Sequence, residues 1–172
     1  MRLVRRFFVV AAVLALGLVC LSWTTTYVGQ IVQNVGQAMA PTLEDGEFVL
    51  VNKLAYQIGP PRRDDVVMLI YPVNPQKRFV KRIVAEQGDS VRITEGQVIV
   101  NGVARADAQV PEAFRSRDHW GPQVVPEGYC FVLGDHRNDS ADSRHWGFVP
   151  VKYVLGRVAY RLTGSRPLSA VR

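Results

Sequence analysis

Two cysteines in 172 residues, Cys20 and Cys130, are too few for a disulfide framework. The three histidines, His119, His136 and His145, stand apart from both, so no cluster has the spacing of zinc ligands and no structural metal is expected. Ten prolines and fourteen glycines fall well short of a disordered or repetitive composition, and no internal repeat is visible. With 48% hydrophobic and 21% charged residues the chain is globular in kind, and its length favours one domain with a modest core over a two-domain enzyme.

Acidic residues are absent from the first 43 positions; the first is Glu44. Arg2, Arg5 and Arg6 supply half of the formal charge of +6, and beyond them acids and bases alternate. That pattern lacks the basic stripe of a nucleic-acid binder, so no nucleic-acid partner is expected.

Charge is missing altogether from Phe7 to Trp23. At about 1.5 Å per helical residue this run is close to the minimum that spans a bilayer, and Thr24 to Val28 can lengthen it. The sequence predicts a transmembrane signal-anchor helix over 7–27, with residues 1–6 held in the cytoplasm by their arginines, Trp23 and Tyr27 at the outer headgroups, and an extracytoplasmic body over 28–172. A cleavable signal would end in a small-x-small site soon after its apolar run. The tidy match here, Ala38-Met39-Ala40, lies too far beyond and is followed by Pro41, which favours an uncleaved anchor. Cys20 would then sit in lipid and Cys130 outside, so the two cannot pair.

Beyond Leu43 short apolar runs alternate with turn residues. Glu47 to Leu54, Asp65 to Tyr71, Phe79 to Ala85, Ser90 to Ile93 and Gln97 to Val100 read as strands, separated by Gly59-Pro60-Pro61, Pro72 to Pro75, Gly88-Asp89 and Asn101-Gly102. No ten-residue stretch after the anchor carries a helical stripe. Closely spaced strands without crossover helices predict a mainly β body, an antiparallel sheet or open barrel, with residues 104–125 as a polar, proline-containing loop excursion.

Two segments do not read as strand and turn. One is Gly36 to Leu43; the other is Gly134 to Arg144, a dense polar run between the apolar segments Tyr129 to Leu133 and Trp146 to Pro150. Polar residues clamped between apolar ones predict a satisfied hydrogen-bond network beside a site rather than a solvated loop.

At these residues the chain resembles the bacterial type I signal peptidases, membrane-bound serine proteases that remove signal peptides from exported proteins. The family's Ser-Met-x-Pro-Thr-Leu motif is matched by Ala38-Met39-Ala40-Pro41-Thr42-Leu43, its Lys-Arg and Pro-Gly-Asp by Lys81-Arg82 and Gln87-Gly88-Asp89, and its Gly-Asp-Asn-Arg-Asp-Asn-Ser-x-Asp-Ser-Arg box by Gly134 through Arg144. The box departs at His136 and in the reversed order of Asn138-Asp139. The resemblance implies a Ser-Lys dyad cleaving after Ala-x-Ala in preproteins, with Lys81 as general base and Ser140 orienting its amine. It implies an oxyanion hole from the backbone N–H groups of Gly36 and residue 38, structural support from Asp142, Arg144, Gly134 and Asp135, and apolar subsites at Met39, Leu43, Phe79 and Val80. A lysine base must be neutral, which calls for an apolar, partly dehydrated pocket around Lys81; Phe79, Val80 and Ile83 beside it suit that need. Signal peptides and the bilayer of the bacterial cell membrane are the implied partners, for a monomer with its catalytic domain on the extracytoplasmic side and no cofactor or metal.

Position 38, where the family carries its attacking serine, is alanine. A methyl group cannot attack a carbonyl, and Thr42 is too distant along the chain to substitute, so the chain as it stands is expected to be inactive. Two readings account for this: replacement of the serine of an active parent, or a natural pseudopeptidase that binds signal peptides or scaffolds a membrane complex. A chain released from catalysis has no need of the lysine, its orienting serine and the oxyanion glycine, so the sequence favours the first. A self-cleaving repressor of the same chemistry would need a DNA-reading helix pair in place of the anchor.

Overall fold

The computed structural model describes residues 2–165 and 169–171; the side chains of residues 2–4, 7, 21 and 23–27 lie outside that description. Helix α1 (Arg2–Tyr27) takes in the N-terminal arginines and the uncharged stretch after them, with Phe8, Leu14 and Leu18 exposed along it. Among the described residues no helix is long and apolar enough to cross a membrane. The stretch expected to span is therefore helical, but the side chains at 21 and 23–27 that would complete its apolar length are outside the described set, as are the expected interface residues Trp23 and Tyr27.

Twelve strands follow among the described residues. They are β1 (Gly29–Gln33), β2 (Phe48–Asn52), β3 (Val66–Ile70), β4 (Arg78–Ala85), β5 (Ser90–Thr94), β6 (Gln97–Val100), β7 (Val103–Ala104), β8 (Trp120–Val124), β9 (Tyr129–Leu133), β10 (Val149–Pro150), β11 (Val154–Arg161) and β12 (Ser169–Ala170). Two short helices, α2 (Ala55–Ile58) and α3 (Ser143–Trp146), interrupt them. The larger sheet runs β1-β2-β11-β3-β4-β9-β10 with β12 against β11, and the smaller runs β7-β6-β5-β8. Every pairing is antiparallel. The mainly β, antiparallel expectation is met, and the five runs read as strands become β2 to β6.

Alternation decides what each strand buries. In β3, Val66 and Met68 pack with Met39, Leu43, Val49 and Val51, while Val67 and Leu69 pack with Ile83, Val132 and Val149, so this central strand is covered on both faces. The smaller sheet is one-sided: Val91 and Ile93 of β5 point into a cluster with Val98, Val100, Phe131 and Leu133, whereas Arg92 and Thr94 are exposed. Each fully buried Val, Leu or Phe contributes about 1.5–3 kcal/mol by leaving water.

The region 104–125 is not wholly loop. Its last residues form β8, which pairs with β5 and sets Trp120 against Phe131 with ring centroids 4.5 Å apart. Gly121 and Pro122 hide this strand from a pattern reading, because both are turn formers and only Trp120 and Val124 at its ends are apolar. Val110, buried at 3%, anchors the remainder of the excursion.

Candidate active site

The loop between β1 and β2 closes on itself through backbone bonds from Asn34 N to Glu47 O (2.7 Å) and from Gly46 N to Asn34 O (2.8 Å). Within it Met39 and Leu43 plug the core, and Leu43 N donates to Met39 O at 2.8 Å. Two anchored neighbours therefore fix Ala38 at the rim of a groove of about 430 Å³, lined also by Asn34, Val35, Phe79, Val80 and Lys81. Lys77 and Arg78 stand at its exposed edge.

Strand β4 delivers Lys81 to this groove. Its side chain is 3% exposed, and Nζ donates to Ser140 Oγ at 2.9 Å. Burial lowers its pKa from 10.5 to about 8; the charge of Asp142 opposes that fall and that of Arg144 adds to it. The Phe79 ring lies 5.7 Å from Nζ, an apolar wall on the groove side.

Ser140 belongs to the loop 134–144, which leaves β9 and ends in α3. Asp142 caps α3 by accepting from Arg144 N, takes Gly134 N at 3.1 Å, and receives Arg144 Nε and Nη2 at 2.8 Å each. Burial pushes the Asp142 carboxyl up, but the hydrogen bond and charge of Arg144 with the Gly134 amide and Ser140 hydroxyl outweigh it and hold the group below its usual range. Gly134 is required by space: a Cβ there would lie 2.2 Å from Ser140 Oγ and 2.4 Å from Ala38 O. Its bare backbone lets position 38 and Ser140 approach. His136 N completes the junction, donating to Ala38 O at 3.1 Å.

The next residue along β4 meets the same loop elsewhere. Arg82, 2% exposed, donates Nε and Nη2 to the two oxygens of Asp135 at 2.8 and 2.7 Å, and Nη1 to Asp64 O at 2.9 Å. Thr42 Oγ1 donates to the same carboxylate. Arg82 and Thr42 carry this bracing, although the motifs mark only Asp135 for it. A basic residue beside Lys81 in an alternating strand is the signal that could have found Arg82.

The residues expected from the sequence are thus brought together at Ala38, Lys81, Ser140, Gly134, Asp135, Asp142 and Arg144, with Met39, Phe79 and Val80 lining the groove. Two are placed otherwise. Leu43 is fully buried and faces the core, packed with Val49 and Val51, which leaves it no surface toward the groove. Gly36 has a positive φ of 92°, but its N–H donates to Asp45 Oδ1 at 2.7 Å, so it points into its own loop rather than at an oxyanion. Asp45, the residue that captures it, gives no signal in the sequence. Among the described residues no His, Cys, Asp and Glu side chains group to hold a metal ion.

A family model described as signal peptidase, peptidase S26, matches residues 4–163. The chain belongs to this signal peptidase family. Its members are serine peptidases. The chain is 34% identical over 161 residues to "Signal peptidase I" of Leptolyngbya laminosa, covering 88% of this chain and 74% of the relative. It is 36% identical over 138 residues to "Signal peptidase I" of Bacillus caldolyticus, covering 73% and 75%. The crystal structure of a signal peptidase I from Enterococcus faecalis V583 aligns at 31% identity with a TM-score of 0.49, over 58% of this chain and 97% of that one.

Proposed function

We propose that this chain has the framework of a Ser-Lys signal peptidase, an endopeptidase that hydrolyses the bond after Ala-x-Ala at the end of the signal peptide in exported preproteins, and that it is inactive as it stands because position 38 is alanine. One observation carries the proposal: a buried lysine with a pKa near 8, hydrogen-bonded to Ser140 at 2.9 Å, opens on the same groove as position 38. With serine at 38, neutral Lys81 would take the hydroxyl proton as Oγ attacks the scissile carbonyl, then return it to the leaving amine; a water activated by the same lysine would release the acyl group. The residue-38 N–H serves the developing oxyanion, and recruitment of Gly36 as a second donor requires its release from Asp45.

In this reading α1 is the single membrane anchor, N-terminus in the cytoplasm, and the β body lies on the extracytoplasmic side of the bacterial cell membrane. The uncharged run from Phe7 to Trp23, preceded by arginines, supports it. Alanine at position 38 is equally met by a second reading, a natural pseudopeptidase that binds signal peptides without cutting them.

The test is cleavage of a preprotein in detergent by this chain and by Ala38→Ser. The peptidase reading expects serine to restore processing by about a million-fold and a further Lys81→Ala to abolish it. An inert Ala38→Ser protein that still binds signal peptides would hand the case to the second reading.

A further inference from the structure

We propose that the excursion between β7 and β8 is a strap that positions the reacting groups from outside the groove, with Phe114 and Asp107 as its two positioning residues. The inference rests on the peptidase reading for its effect on rate, and on the structure alone for its effect on the loop 134–144.

That loop has no sheet of its own to hold it, since it begins where β9 ends and makes no ladder. Its outer side is held by residues 105–118 instead. Asp107 Oδ2 accepts from Arg137 Nη1 at 2.9 Å, and Arg137, 3% exposed, donates Nε to Gly134 O at 3.0 Å. Asn138 donates its backbone N–H to Phe114 O at 3.3 Å and its side-chain N–H to Ala113 O at 2.9 Å. At the far end Arg144 pairs with Asp118 and donates Nη1 to Ser116 Oγ at 3.1 Å.

These contacts end on reacting groups. The Phe114 ring stacks on His136 with centroids 4.1 Å apart and planes inclined by 28°, and the His136 N–H bonds to the carbonyl of Ala38. Arg137 holds the carbonyl of Gly134, the glycine wedged between Ala38 and Ser140. Arg144 reaches the carbonyls of Arg137 and Ser140 at 2.7 and 3.3 Å. No strap residue lines the groove, so the strap acts only through these intermediaries. His136 stands where the family's box has asparagine, and an imidazole offers an aromatic ring for Phe114 to stack on, which an amide lacks. Asp107 acts differently, by charge. Without it the Arg137 guanidinium is left buried with no carboxylate, and the loop must move to hydrate it.

A displacement of about 1 Å at a nucleophile can cost about 100-fold in rate, while substrate contacts made by the groove walls stay as they were. In the full chain carrying Ala38→Ser, Phe114→Ala is therefore expected to lower kcat about 10- to 100-fold with KM within about twofold, and Phe114→Trp to recover most of the loss. Asp107→Ala is expected to behave likewise and Asp107→Asn to fall between. If Asp107→Ala does not fold, the half-buried Phe114 carries the test alone. Equal loss of kcat and folded protein, with no recovery by tryptophan, would reduce the strap to simple support and overturn the proposal. In the chain as it stands, Phe114→Ala should speed amide exchange at His136 at least about tenfold while the amides of β3 and β9 keep their protection. Unchanged exchange at His136 overturns the strap whatever the activity; faster exchange in a protein that Ala38→Ser fails to activate upholds the strap and removes the peptidase reading only.

Discussion

Lys81 and Arg82 are adjacent cations on one strand, both almost fully buried, and they are driven in opposite directions. Successive residues of β4 face opposite ways, so Lys81 meets a serine hydroxyl and an aromatic ring, whereas Arg82 meets a carboxylate in a two-pronged bond. Burial dominates at Lys81 and brings its pKa down to about 8. Burial also acts against the charge of Arg82, but the hydrogen bonds and charge of Asp135 outweigh it and raise the guanidinium above its usual value. Burial alone does not decide the state of a cation; the partner at its tip does. One side of the strand holds a lysine that gives up its proton more readily, and the other a braced, permanent cation.

Erasing that contrast at position 81 has the largest expected effect. In the Ala38→Ser protein, Lys81→Arg puts a permanent cation on both sides of β4, and processing should fall on the order of 10,000-fold or more in a single-turnover assay. Next comes the brace. Arg82→Met leaves Asp135 buried and unpaired, and urea unfolding of the chain as it stands should show a loss of about 3–5 kcal/mol; a loss below about 1 kcal/mol would mean that water reaches the carboxylate. The smallest effect sharpens the comparison. The proton-accepting form of Lys81 is the neutral one, so the rate of the Ala38→Ser protein should rise with pH through a midpoint near 8 and level off above it. Asp139, on the exposed side of the loop, favours the charged lysine, so Asp139→Asn should move that midpoint downward without changing the plateau. A midpoint near the ordinary lysine value would contradict the burial argument.

The motifs are legible because each is short and continuous. The flanking apolar runs mark Gly134 to Arg144 as a packed polar network, and its members do pair closely, as in Asp142 with Arg144 and with Gly134. Strands β2 to β6 show in their apolar runs and turn residues, whereas β8 does not, because its Gly-Pro pair masks a segment stabilised by pairing with β5. Its place in a motif makes Leu43 look like a substrate contact, but it lies beside Met39 in the core, packed with Val49 and Val51, and keeps no surface for a substrate. Gly36 looks like an oxyanion donor on the same basis. Its local conformation suits glycine, yet the competing acceptor, Asp45, is presented by the closing of the loop.

Chain order and residue type pointed to an antiparallel, β-rich body preceded by a helix with a long uncharged run, and the resemblance of the motifs set Lys81, Ser140 and position 38 side by side. Those properties follow from local patterning and short motifs, which survive any arrangement of the remainder. The tertiary structure decided which of two adjacent cations gives up its proton more readily, that the Gly36 N–H turns to Asp45, and that an apparent surface loop grips the site loop through Phe114 and Asp107. Such properties depend on burial and on partners brought from 26 to 59 residues away, as with Arg144 and Asp118 or Lys81 and Ser140, and desolvation acts only once those contacts have closed.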